Sequence, residues 1–172
     1  ESLAAVSSNN ALISLIINVS LGLSVGANVV VAQSIGSRNK ERAQNAVHTA
    51  ILISVICGIA VGLVGALCAR YFLVWMKTDA VVLDKATTYL SIYFIGAPAN
   101  IVYNFGAAIL RAKGDTKRPL AFLLIAGIVN ACLNLIFVIV AHMDVAGVAV
   151  ATIISQYLSV VLVIIALLRE KD

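Results

Sequence analysis

Inside the long apolar runs of this 172-residue chain, the side chains able to do chemistry are amides and hydroxyls, and they recur at helical spacing. Asn10, Ser14 and Asn18 stand at i, i+4 and i+8, one face of a helix, and Gly22 and Gly26 continue that row. Tyr93, Ala97, Asn100 and Asn104 make a similar row. Asn130 and Asn134 are one turn apart, and Thr152, Gln156 and Ser159 share a face with Ser155 beside it. Neutral polar groups in an apolar setting serve one of two purposes. They hydrogen-bond between helices, at an average of about 0.6 kcal/mol each, or they line a polar cavity. One stripe alone favours the first purpose; four stripes on separate runs leave both open.

Charge is missing from the same places. No Asp, Glu, Lys or Arg lies deep in an apolar run, where each would cost about 2.5–3.5 kcal/mol to insert. Proton relays usually need an intramembrane carboxylate or histidine, and His48 and His142 sit near run ends, where a histidine is solvated. Cys57, Cys68 and Cys132 lie within apolar runs without CxxC spacing and are read as small packing residues. The sequence has no Walker A, GxSxG, HExxH or CxxC motif, so no enzyme activity, cofactor or metal centre is expected. The tract RAKGDTKRP at 111–119 lacks phosphate-loop spacing and reads as a basic loop, with anionic lipid headgroups as a secondary contact.

The elements that position these side chains follow from composition. Apolar residues make up 62% of the chain and charged residues 12%, with a mean hydropathy of +1.04. A soluble domain carries about 25% charged residues, so lipid is the solvent for most of this surface. The net charge of +4 is carried in short loops, which points to topology signals and not to nucleic acid. Runs at about 3–35, 46–69, 86–110, 119–141 and 145–168 are each long enough for a transmembrane helix. They do not alternate as barrel strands would. The expected fold is all-α with five transmembrane helices.

Several finer features follow. Gly96 and Pro98 should kink the third helix. Pro119 suits the first turn of the fourth, capped by Asp115 or Thr116. Gly22–Gly26 and Gly58–Gly62 are GxxxG pairs that let backbones approach. Residues 71–85 read either as a short amphipathic surface helix or as a loop. Alternate connections carry nine basic residues against three. The basic set therefore faces the cytoplasm, with the N-terminus outside and the C-terminus inside. Tyr71, Phe72 and Trp75 then meet the outer headgroup layer.

On these residues the chain resembles the multidrug and toxic compound extrusion family. The stretch GLSVGANVVVAQSIGSRNKERA at 22–43 is similar to that family's second helix and following loop. Residues 89–119 resemble its fourth helix, with G-x-P at Gly96–Pro98 and the diagnostic LRAKGDTKRP at 110–119. Residues 127–134 and 147–155 (GVAVATIIS) resemble its fifth and sixth helices. The resemblance implies twelve helices in two lobes, alternating access, and export of organic cations or other amphiphiles driven by sodium or protons. It makes this chain helices two to six of the N-terminal lobe. It also implies a cation site built from an Asp on the first helix with Asn130, Asn134 and Thr152 here; the polar stripes, read as cavity walls, make Asn10, Ser14, Asn18, Asn100, Asn104 and Gln156 the substrate lining. Amide and hydroxyl oxygens are hard ligands suited to sodium. The helix that carries that Asp is absent from these 172 residues, and Asn134 also stands where many family members have Asp, so the part of the site read here is without formal charge.

The chain opens at Glu1 without Met or a basic leader, and its last apolar run ends at Leu168. It reads as an incomplete half of a two-lobed transporter in the plasma membrane, whose partners are lipid, small cationic or amphiphilic substrates and the rest of the same polypeptide. Two alternatives remain. A lipid-linked oligosaccharide flippase of related fold would need basic cavity residues, which these runs lack. A non-transporting module that oligomerises would use the GxxxG pairs as its interface.

Overall fold

The computed structural model describes residues 10–77, 79–143 and 145–170, and among them there is no strand. Residues 3–9 of the first apolar run, Asp144 and the terminal Lys171 lie outside the described residues. Helix α1 spans Asn10–Gly36, α2 Lys40–Trp75, α3 Ala80–Ile95, α4 Ala97–Ala112, α5 Lys117–Leu135 and α6 Val145–Arg169; α5 runs on into a π-helical turn at Ile136–Val140. By length and composition, α1, α2, α5 with its π turn, and α6 can each cross a membrane, and the bent pair α3–α4 makes a fifth if the two helices are one broken span.

Helix α2 extends beyond its apolar run at both ends. At 36 residues it is about 54 Å long, against a hydrocarbon core of about 30 Å. Hydropathy marks only the part in lipid; capping sets where the helix starts. Asn39 Oδ1 accepts the Arg42 N–H at 3.0 Å, so the polar turn before the apolar run is already helical. At the other end α2 continues through Trp75, and α3 starts at Ala80 with Asp79 Oδ1 accepting the Val81 N–H at 3.3 Å. The 71–85 segment is thus not a separate surface helix: its first part is the end of α2, its last part is the start of α3, and an Arg70–Asp84 ion pair of 3.0 Å links the two helices.

The sharpest feature is the break at Gly96, where the axis turns by 41° between α3 and α4. Pro98 has no N–H for the Phe94 carbonyl one turn back, and its ring crowds that turn. The break is packed on glycines of α2. A Cβ on Gly58 would stand 2.6 Å from Pro98 Cα, and one on Gly62 would stand 2.9 Å from the Phe94 carbonyl oxygen. Only glycine allows the two backbones this approach. Gly22 and Gly26 of α1 have nothing within 4 Å of a hypothetical Cβ.

The core gathers around α3 and α4. Leu73, Val82, Leu90 and Phe94 fill one half of it, and Val31, Ile101, Phe105 and Ile109 fill the other. Helices α1, α2 and α6 all pack on α4, whereas α5 leans chiefly on α6. Most of α1 and α5 therefore stays uncovered, with side chains such as Val25, Val29, Leu124 and Ile128 exposed.

The loop after α4 closes both neighbouring helices with its own chemistry. Gly114, at φ +88°, takes the left-handed position. Its N–H reaches the Arg111 carbonyl, and the Asp115 N–H reaches Leu110, each at 2.9 Å. This is a Schellman closure. The Asp115 carboxylate then accepts from the Lys117 and Arg118 amides at 3.2 and 3.1 Å, while Thr116, at the capping position, makes no side-chain bond. Glu170 at the end of α6 pairs with Arg118 at 2.8 Å and Lys113 at 3.3 Å. The ends of α4, α5 and α6 are thereby fastened together.

Candidate binding cavity

Between α4, α5 and α6 lies a cavity of about 310 Å³. Asn100 and Tyr103 reach it from α4, Asn130 from α5, and Thr152, Ser155, Gln156 and Ser159 from α6. These are the polar positions of three separate stripes, brought to one place because α6 packs on both α4 and α5.

Each wall is held locally. Asn104, one turn beyond Asn100, donates its amide to the Asn100 backbone and side-chain oxygens at 2.9 and 3.1 Å. It braces Asn100 and does not line the cavity. The Tyr103 hydroxyl donates to the Pro119 carbonyl at 2.8 Å and fixes α4 against the first turn of α5. On α6, three hydroxyls donate into their own helix: Thr152 to Val148, Ser155 to Thr152 and Ser159 to Gln156, at 3.0, 2.8 and 2.7 Å. A hydroxyl whose proton is committed to a backbone carbonyl still offers lone pairs. The α6 wall therefore presents acceptors.

On α5, the Asn134 amide nitrogen donates to Asn130 Oδ1 at 3.2 Å. That leaves Asn134 Oδ1 buried without a partner among the described residues. An unpaired buried acceptor costs about 1–3 kcal/mol; Asn28 Oδ1 on α1 is buried without a partner in the same way, and Asn134 stands one turn beyond Asn130, outside the residues that line the cavity. The oxygens of Asn130, Asn134 and Thr152 are hard, neutral donors that suit sodium or another alkali cation. None of the residues lining the cavity is acidic or basic. Among the described residues there is also no cluster of three His, Cys, Asp or Glu side chains.

Gln156 ties the cavity to the helix break. A Cβ on Gly96 would lie 2.5 Å from Gln156 Oε1, so the amide rests on the glycine itself. The next residue, Tyr157, donates its hydroxyl to the Ile95 carbonyl at 3.0 Å. One turn of α6 thus touches both the cavity and the backbone at the break.

Asn10, Ser14 and Asn18 are exposed on α1 and do not line this cavity. Tyr103 was not singled out from the sequence, although it stands three residues after Asn100 on the same helical face. Ser155 and Ser159 belong to the α6 stripe.

The sequence and the fold both have relatives among known proteins. A sequence model of the MatE family covers residues 1–136. The chain belongs to the MatE family. This MatE chain is 30% identical over 156 residues to the probable multidrug resistance protein YpnP of Bacillus subtilis, a match covering 91% of the chain and 35% of that relative. Its fold superposes on an inward-facing MATE transporter of the MOP superfamily with a TM-score of 0.93, at 27% identity over 99% of the chain and 39% of the other. An outward-facing MATE transporter gives 0.91, at 27% identity over 99% and 38%. The chain therefore spans little more than a third of the length of these relatives.

Proposed function

We propose that this MatE chain forms the helices two to six of the N-terminal lobe of a cation-coupled exporter of organic cations, working by alternating access. Asn130, Asn134 and Thr152 hold the coupling ion, sodium or a proton, together with an acidic residue from a first helix. Asn100, Gln156 and their neighbours line the substrate path. The single observation carrying this reading is Asn130 in the cavity wall, its Oδ1 accepting from Asn134, whose own buried Oδ1 has no partner among the described residues. The likeness to both inward- and outward-facing transporters supports a lobe that rocks as a body.

The orientation follows from charge. The loop and helix ends that meet around Glu170 are the basic ones, which favours that end as cytoplasmic in the plasma membrane. The neutral lining of the cavity weighs against a pyrophosphate-handling flippase. Gly58 and Gly62 are occupied by Pro98 and Phe94 of the same chain, which removes one of the two GxxxG faces an oligomerising module would use.

The test is efflux. Cells producing the whole transporter of which these helices form part should expel a fluorescent organic cation faster than cells lacking it, and dissipating either the sodium or the proton gradient should stop this. Equal retention of the dye with and without the protein would overturn the proposal.

A further inference from the structure

A second and larger recess lies away from the cavity. Helices α2 and α6 both pack on α4, and between them runs a groove of about 990 Å³. Its walls are apolar. Val47, Ile51 and Val55 form a stripe at i, i+4 and i+8 on α2, opposite Ile164 and Leu167 on α6. The α2 stripe alone reaches about 12 Å along the helix.

The mouth of the groove is polar and net positive, with Arg38, Lys40 and Lys113 against Glu41 and Glu170. Glu170 is already engaged by Lys113 and Arg118. Arg38 and Lys40 make no ion pair among the described residues, and both are exposed. The groove is thus basic at the loop end and apolar along the helices, the polarity of an anionic phospholipid standing in one leaflet. An organic cation has the wrong sign for this mouth, and a small soluble anion leaves the apolar walls unfilled.

We infer that the α2–α6 groove binds an anionic phospholipid, its phosphate held by Arg38 and Lys40 and an acyl chain lying along Val47, Ile51 and Val55. The assignment to the cytoplasmic leaflet rests on the orientation proposed above; the lipid site itself does not depend on the transport reading.

The experiment is native mass spectrometry of the protein purified from its own membrane, titrated with phosphatidylglycerol and phosphatidylcholine. Wild type should retain phosphatidylglycerol in preference. The double variant Arg38→Asn, Lys40→Gln should bind it about 25-fold more weakly, the loss expected from two juxtamembrane basic groups. Asn suits position 38 because the backbone there is left-handed, at φ 54°. Val55→Trp, which fills the apolar wall, should also reduce retention, whereas Leu63→Trp, farther along α2 and 60% exposed, should leave it unchanged. Equal retention of the two lipids, or unchanged affinity in the charge variant, overturns the inference. Full displacement of the lipid by millimolar glycerol phosphate would also overturn it, because the site would then be one for soluble anions.

Discussion

Asn134 is the residue on which the functional account turns. Its nitrogen is spent on Asn130 while its buried oxygen has no partner among the described residues. Replacing it by alanine removes an acceptor from the proposed ion site without introducing bulk. Asn134→Ala is expected to weaken the ion dependence of transport about tenfold, the equivalent of ~1.4 kcal/mol. Asn134→Asp adds the missing charge. It should tighten cation binding at neutral pH and lose that gain as acid protonates the carboxylate, a sign readable from sodium titrations at two pH values. The i, i+4 spacing of Asn130 and Asn134 was legible in the sequence, because helical periodicity alone puts them on one face. The direction of the amide was not legible, since it depends on which atom of Asn130 stands nearest. Tyr103 was not legible either: its bond to the Pro119 carbonyl exists only once α4 and α5 are placed side by side.

At the scale of elements, the break between α3 and α4 depends on glycines that face it. Gly58→Ala puts a methyl 2.6 Å from Pro98 Cα and is expected to destabilise the protein by about 1–3 kcal/mol, the usual cost of overpacking. Gly22→Ala and Gly26→Ala meet nothing within 4 Å and should be neutral, so thermal unfolding of the three variants in one detergent is a direct comparison. Both pairs read identically as GxxxG in the sequence. What separates them is a neighbour about 40 residues away in the chain, which no local pattern reports. Tyr157→Phe frees the Ile95 carbonyl at the break. It should cost about 0.6 kcal/mol, and no more than ~1.7 kcal/mol, as hydrogen bonds between membrane helices do. Helix boundaries were legible only where hydropathy and helix end together. In α2 they do not, because Asn39 starts the helix in a polar turn and the helix continues past its apolar run to Trp75.

For the molecule as a whole, the fold class followed from composition, since a chain with 12% charged residues has no water-facing surface to build. The packing order did not follow from it. Helix α4 became the hub because Ala99, Gly106, Ala107 and Ala108 let neighbours approach it from several sides, a property of small residues that hydropathy does not weigh. The apolar faces of α1 and α5 and the side chains of Asn10, Ser14 and Asn18 are exposed, and on the proposed reading they are where the lobe meets lipid or further helices. The central claim is that a cation held at Asn130, Asn134 and Thr152 drives export. It is tested most directly in proteoliposomes holding the protein purified from its own membrane and loaded with a fluorescent organic cation. Dye release is measured when a sodium or a proton gradient is imposed, for wild type and for Asn134→Ala. The account predicts gradient-dependent release by wild type and a roughly tenfold weaker dependence on the driving ion in the variant. Release at the same rate and with the same ion dependence in both would contradict it.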